Sequence, residues 1–101
     1  MKELVVTASA QLEIESAILW YDAIKLDLAD DLLDKIDIGY ACITAQPDAW
    51  PPYAKKYRHY ILERFPYAII YHERSEFIEV LAFAHHRRQP FYWLSSEENA
   101  D

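Results

Sequence analysis

A chain of 101 residues has room for one domain, and an apolar fraction of 52% is enough to fill its core. A single glycine excludes phosphate-cradling glycine loops, and a single cysteine excludes an internal disulfide and a structural zinc site. The net charge of −7 argues against non-specific nucleic-acid binding.

In chain order, Glu3–Val6 reads as a short first strand. Thr7 is suited to N-cap a helix, because its hydroxyl can accept a hydrogen bond from an orphan N–H of the first turn. Ala10, Ile14, Ala17, Ile18, Tyr21 and Ile24 recur at helical spacing and form one apolar stripe, with Glu13, Glu15 and Asp22 off it. The pattern breaks at Lys25–Asp27, where Asp27 is expected to cap a second helix with a stripe of Leu28, Leu32, Ile36, Tyr40 and Ile43. Gly39 inside that helix costs about 1 kcal/mol relative to alanine. Close packing of the two helices is the expected reason for it. Cys42 is expected to pack as a small apolar group, consistent with a reducing cytosol. Pro47 ends the helix by disfavouring helical backbone at Gln46. The following Pro47–Tyr53 stretch reads as a stiff loop.

Three runs rich in aromatic and β-branched residues come next: Tyr57–Phe65, Tyr67–His72 and Phe77–His85. Their short connections favour an antiparallel meander, since parallel neighbours need a crossover of a dozen or more residues. Strict alternation on the last strand would send Ile78, Val80, Ala82 and Ala84 toward the helices. Phe77, Glu79, Leu81, Phe83 and His85 would then face away, partly covered by the returning segment Pro90–Leu94. The expected fold is therefore α+β: an antiparallel sheet with an N-terminal helical hairpin packed on one face, in the order β-α-α-β-β-β with a short C-terminal segment. Residues 1–94 form a single domain, and the acidic tail 95–101 is expected to fray. No N-terminal signal segment is evident, and no apolar run approaches the ~20 residues that span a bilayer, so a cytoplasmic location without membrane contact is expected.

Charge is unevenly spread. Residues 1–50 carry a net −7, residues 51–88 a net +3 and residues 89–101 a net −3. The cationic stretch holds Arg58, His59, Arg64, His72, His85, His86, Arg87 and Arg88, with Tyr92 and Trp93 close behind. His85 and His86 point to opposite faces of a strand and cannot chelate one metal ion, so neither a metal nor a cofactor is expected. Arg, His and Tyr together could cleave RNA without a metal, supplying a base, a phosphate-stabilising cation and an acid. The alternative is structural, with arginines pairing with Glu63, Glu73, Glu76 and Glu79 and tyrosines capping the core with wet hydroxyls.

Tyr57-Arg58, Arg64-Phe65-Pro66-Tyr67, Ile69-Ile70-Tyr71, Leu81-Ala82-Phe83-Ala84-His85, Arg88, Pro90 and Tyr92-Trp93 together resemble the ParE/RelE superfamily, closer to its ParE-like members. These are toxins of bacterial type II toxin–antitoxin modules, also called plasmid stabilisation proteins. The resemblance covers about residues 3 to 93. It implies a cytoplasmic toxin in a hetero-oligomer with a cognate antitoxin. ParE-like members are associated with poisoning DNA gyrase through protein binding, and RelE-like members cut mRNA on the ribosome. By that resemblance Arg58, Arg64, His85, Arg87, Arg88, Tyr92 and Trp93 would bind target or antitoxin. In a nuclease, Arg58, Arg64 and Arg88 would hold phosphate while His85 or Tyr92 acted as base or acid. Ribosome-cleaving members are typically basic, whereas this chain is acidic and continues after Trp93 as Leu94-Ser95-Ser96-Glu97-Glu98. Those departures favour a gyrase-type protein ligand, or a member that only binds its antitoxin, over the nuclease.

Overall fold

Thr7 separates the first strand from the first helix, as its hydroxyl dictates. It is extended (φ −65°, ψ 159°), and its Oγ1 accepts the Ala10 N–H at 3.2 Å. The computed structural model describes residues 1–54, 56–88 and 92–94. Strand β1 is Glu3–Val6, helix α1 Ala8–Ile24 and helix α2 Leu26–Ala45, followed by β2 Pro52–Ala54, β3 Tyr57–Ile61, β4 Tyr67–Glu73 and β5 Phe77–His85. The tail 95–101 and the residues Pro90 and Phe91 lie outside the described residues.

The two helices turn within one residue. Lys25 is extended (φ −164°) and is at once the C-cap of α1 and the N-cap of α2, with no side-chain capping bond. Asp27 is thus not the cap that the sequence suggests. It lies in the first turn of α2, where a carboxylate favours the positive end of the helix dipole. Ile24, expected on the buried stripe, is 59% exposed at this hairpin tip. Inward-facing residues are Ala10, Ile14 and Ala17 on α1 and Ala29, Leu32, Ile36, Gly39 and Ile43 on α2.

The sheet has five strands in the order β1-β5-β4-β3-β2. Strands β2 to β5 are antiparallel neighbours, and β1 pairs parallel with β5, Glu3 opposite Phe77 and Val6 opposite Val80. Details of the sheet differ from the sequence expectation: it is mixed and not wholly antiparallel, because β1 runs parallel to β5, and β3 stops at Ile61 and not at Phe65. Pro52–Ala54, read as part of a stiff loop, is the edge strand, a position where a proline's missing N–H is harmless. The alternation on β5 also breaks. Tyr71 pairs with Val80 but Ile70 pairs with Ala82, so Leu81 is an extra residue in a β-bulge. Beyond the bulge the faces exchange. Ile78, Val80 and Phe83 pack into the core beneath the helices, whereas Leu81, Ala82 and Ala84 join Tyr57, Ile70 and Trp93 on the other face. Ala82 and Ala84 therefore do not meet the helical hairpin. The segment Tyr92–Leu94 covers that second face as anticipated, with Trp93 buried there.

Gly39 serves the sheet and not the partner helix. A Cβ at this position would lie 2.9 Å from Ile69 Cδ1 and 3.0 Å from Tyr60 Cε1. Gly39→Ala gains ~1 kcal/mol of helix propensity but overpacks a site whose usual cost is ~1–3 kcal/mol. A net loss of about 1 kcal/mol is expected in urea denaturation, and a stabilised variant would show that α2 can lift off the sheet freely.

The core also carries tyrosines that resist ionisation. The Tyr71 hydroxyl donates to Pro47 O at 2.5 Å, and burial, reinforced by Glu73 and Asp48 and opposed by Arg58, pushes its pKa up to about 12. Burial and then the Asp37 charge push Tyr40 up to about 12 as well. Unfolded tyrosine loses its proton near pH 10.0. The folded state thus holds protons that the unfolded state releases, and stability falls as pH rises from about 10 to about 12. Tyrosinate absorbance and circular dichroism should change together in that window. Full tyrosine ionisation near pH 10 with the fold intact would contradict the burial.

Candidate functional site

The chain reverses sharply after β5. The His86 N–H donates to Pro66 O at 2.9 Å and the Arg88 N–H to His85 O at 3.0 Å. His85 Nδ1 accepts the Arg87 N–H at 3.0 Å, which leaves the ring proton on Nε2, and the ring meets Tyr67 edge-on at 5.0 Å. This tight end of the strand projects Arg88 against Tyr92, with the guanidinium carbon 3.9 Å from the ring centroid. Trp93 then inserts beneath, edge-on to Tyr57 at 4.7 Å and stacked on Tyr53 at 6.2 Å.

Glu13 of α1 ties this corner together. β1 ends opposite Val80, so among the described residues no strand pairs with the far half of β5 on that edge. There the Glu13 Oε1 accepts the Phe83 N–H at 3.0 Å, and the Oε2 accepts the Tyr92 hydroxyl. The carboxylate thereby satisfies an open strand edge and anchors the C-terminal segment. Burial, then the hydrogen bond to Glu13 and its charge, hold the Tyr92 phenol well above the usual tyrosine range, with Arg88 opposing.

Three hollows meet at Arg88. One of about 480 Å³ opens toward α1 between Leu12, Glu13, Leu81 and Tyr92. A second, of about 280 Å³, runs along α1 past Leu12, Ser16 and Trp20 to Tyr67 and His85. A third, of about 210 Å³, lies on the opposite sheet face beside Trp93. Leu12 and Trp20, at 65% and 66% exposed, leave the α1 side open and apolar.

His85, Arg88, Tyr92 and Trp93 thus come together, with Arg87 exposed alongside. Arg58 and Arg64 do not join them. Arg58 points to the helix side and donates from Nη1 to Trp50 O at 2.7 Å, in the register row of Tyr71. Arg64 sits in the β3–β4 turn with a left-handed backbone (φ 73°), pairs with Asp31 of α2 and lies 5.5 Å from the Phe65 ring centroid. His72 is at the other end of β4, its Nδ1 3.3 Å from Lys56 O. Among the described residues no three His, Cys, Asp or Glu side chains converge to hold a metal ion.

Two members of this corner escape the sequence reading, Glu13 and Tyr53. The Glu13 signal is its spacing: three residues after Ala10 and four before Ala17, it lies at the border of the buried stripe. Tyr53 gives no comparable signal, because its strand looks like a loop.

The chain matches the family model described as the ParE toxin of the type II toxin–antitoxin system, parDE, over residues 4–90. A solved structure of the chromosomal ParDE toxin–antitoxin system from P. aeruginosa is similar, with a TM-score of 0.63 and 15% identity. The alignment covers 84% of this chain and 96% of that one. A comparison with curated proteins finds no match. No helix among the described residues is long and apolar enough to cross a membrane.

Proposed function

This chain belongs to the ParE toxin family of type II toxin–antitoxin systems, and from that premise we propose that it acts by binding a protein target, with DNA gyrase the first candidate, and is neutralised by a cognate antitoxin. The observation that carries this reading is the setting of Arg88. It borders a groove whose α1 wall exposes Leu12 and Trp20, so a fixed charge stands next to apolar surface, the composition of a protein-binding anchor. The antitoxin would lay apolar side chains on Leu12 and Trp20 and offer a carboxylate to Arg88.

The chemistry speaks against the runner-up, an mRNA endonuclease. A Tyr92 phenol held protonated by burial and Glu13 is a poor general base near neutral pH. Arg58 and Arg64, which a nuclease would need for phosphate, are engaged with Trp50 O and Asp31.

Induced expression with separate readouts of translation and DNA damage tests the proposal, together with a supercoiling assay on purified gyrase. DNA damage with translation intact is expected, relieved by co-expressing the short reading frame beside the gene. Rapid loss of mRNA with supercoiling unaffected would instead establish the nuclease. A harmless protein that still captures the neighbouring gene product would leave antitoxin binding as its activity.

A further inference from the structure

The small residues of the bulged strand open a hollow on the face away from the helices. Ala68 and Ala84 are direct cross-strand partners, and Ala68 also pairs with Ile61 of β3. Two methyl groups side by side leave depth where larger strand residues would fill it. Ile70 completes the floor, and Tyr53, His59 and Trp93 supply an aromatic wall, with the Tyr53 and His59 rings 4.8 Å apart. The volume of about 210 Å³ falls between the ~150 Å³ apolar cavity that holds benzene and the ~300 Å³ where drug-sized sites begin. It suits one planar ring system with a short substituent.

The rim is cationic. Arg88 stands at the mouth beside His86, and among the described residues no Asp or Glu lines the hollow. The Arg88 guanidinium offers a planar fork of donors to a carboxylate or phosphate. We propose that this hollow is a binding site for a small planar aromatic anion, its ring against Trp93 and Tyr53 and its charged group at Arg88. This site opens on the sheet face away from the α1 groove and shares Arg88 with it.

Full-length protein labelled with ¹⁵N is titrated with indole-3-acetate, with its neutral analogue indole-3-acetamide, and with AMP as a phosphate-bearing aromatic. Saturable shifts around Ala84 and Trp93 are expected for at least one anion, with the amide at least tenfold weaker. Ala84→Leu, which fills the hollow from its floor, should weaken that binding at least tenfold with the melting temperature maintained. Should Ala84→Leu fail to fold, Ala84→Val carries the same test. Preference for AMP identifies a phosphate ligand, and preference for indole-3-acetate a carboxylate. Three results would each overturn the proposal: no saturable binding by either anion, equal binding of the neutral amide, or full affinity in the filled variant.

Discussion

Arg88→Ala is expected to weaken antitoxin binding by ~2 kcal/mol, about thirtyfold, and to relieve toxicity in proportion while the fold stays intact. The side chain is exposed and its main described contact is the face of the Tyr92 ring. An exposed cation–π pair contributes ~0.5–1 kcal/mol, so the melting temperature should fall by no more than about 4–8 °C. Binding loses more because truncation leaves the partner's carboxylate desolvated and unpaired. Arg88→Lys separates charge from shape: it keeps the cation but loses the planar fork, and intermediate affinity is expected. Calorimetric titration with the purified antitoxin, beside thermal melts of the same samples, measures both quantities. If both variants bind like the parent, Arg88 is not an anchor.

A second large effect should follow the bulge. Phe83→Ala is expected to cost ~3–5 kcal/mol, the usual range for removing a buried aromatic side chain. Phe83 is 2% exposed and stacks on Tyr67 at 4.5 Å with the rings 9° from parallel. With total stability of ~5–15 kcal/mol for a domain, the variant should melt at least ~12 °C lower. Phe77, which strict alternation would place on the same face as Phe83, is half-exposed and belongs to neither core cluster. Phe77→Ala should cost much less. Equal losses at the two positions would mean that β5 has no bulge.

That contrast marks where the sequence stops being informative. The start of the first helix, the stripes and the meander are legible because Thr7, the apolar periodicity and the short connections each have one physical meaning. The bulge is not, since Leu81, Ala82 and Phe83 are all apolar and an extra residue leaves no polar marker out of phase. Likewise Asp27 looked like a cap, but a one-residue turn at Lys25 needs no side-chain cap. In the site, the family resemblance singles out Arg58, Arg64, His85, Arg88 and Tyr92, of which His85, Arg88 and Tyr92 lie together. Arg58 and Arg64 carry the same charge, but their partners, Trp50 O and Asp31, are distant enough in sequence to be invisible to any local pattern.

The parallel strand β1 has a consequence for synthesis. Glu3 must find Phe77, 74 residues later, and closing a loop of that length costs about 4 kcal/mol before any pairing is gained. The hairpins β3–β4 and β4–β5 close over far shorter spans and can form first. Residues 3–6 leave the ribosome long before β5 and are therefore among the last to find their place. Until β5 emerges, Leu4 and Val6 have no strand to lie beside. A message cut or a ribosome stalled before that point yields no partial sheet with an intact first edge. For the toxic activity proposed above, the fold would make completion of the chain a condition for harm.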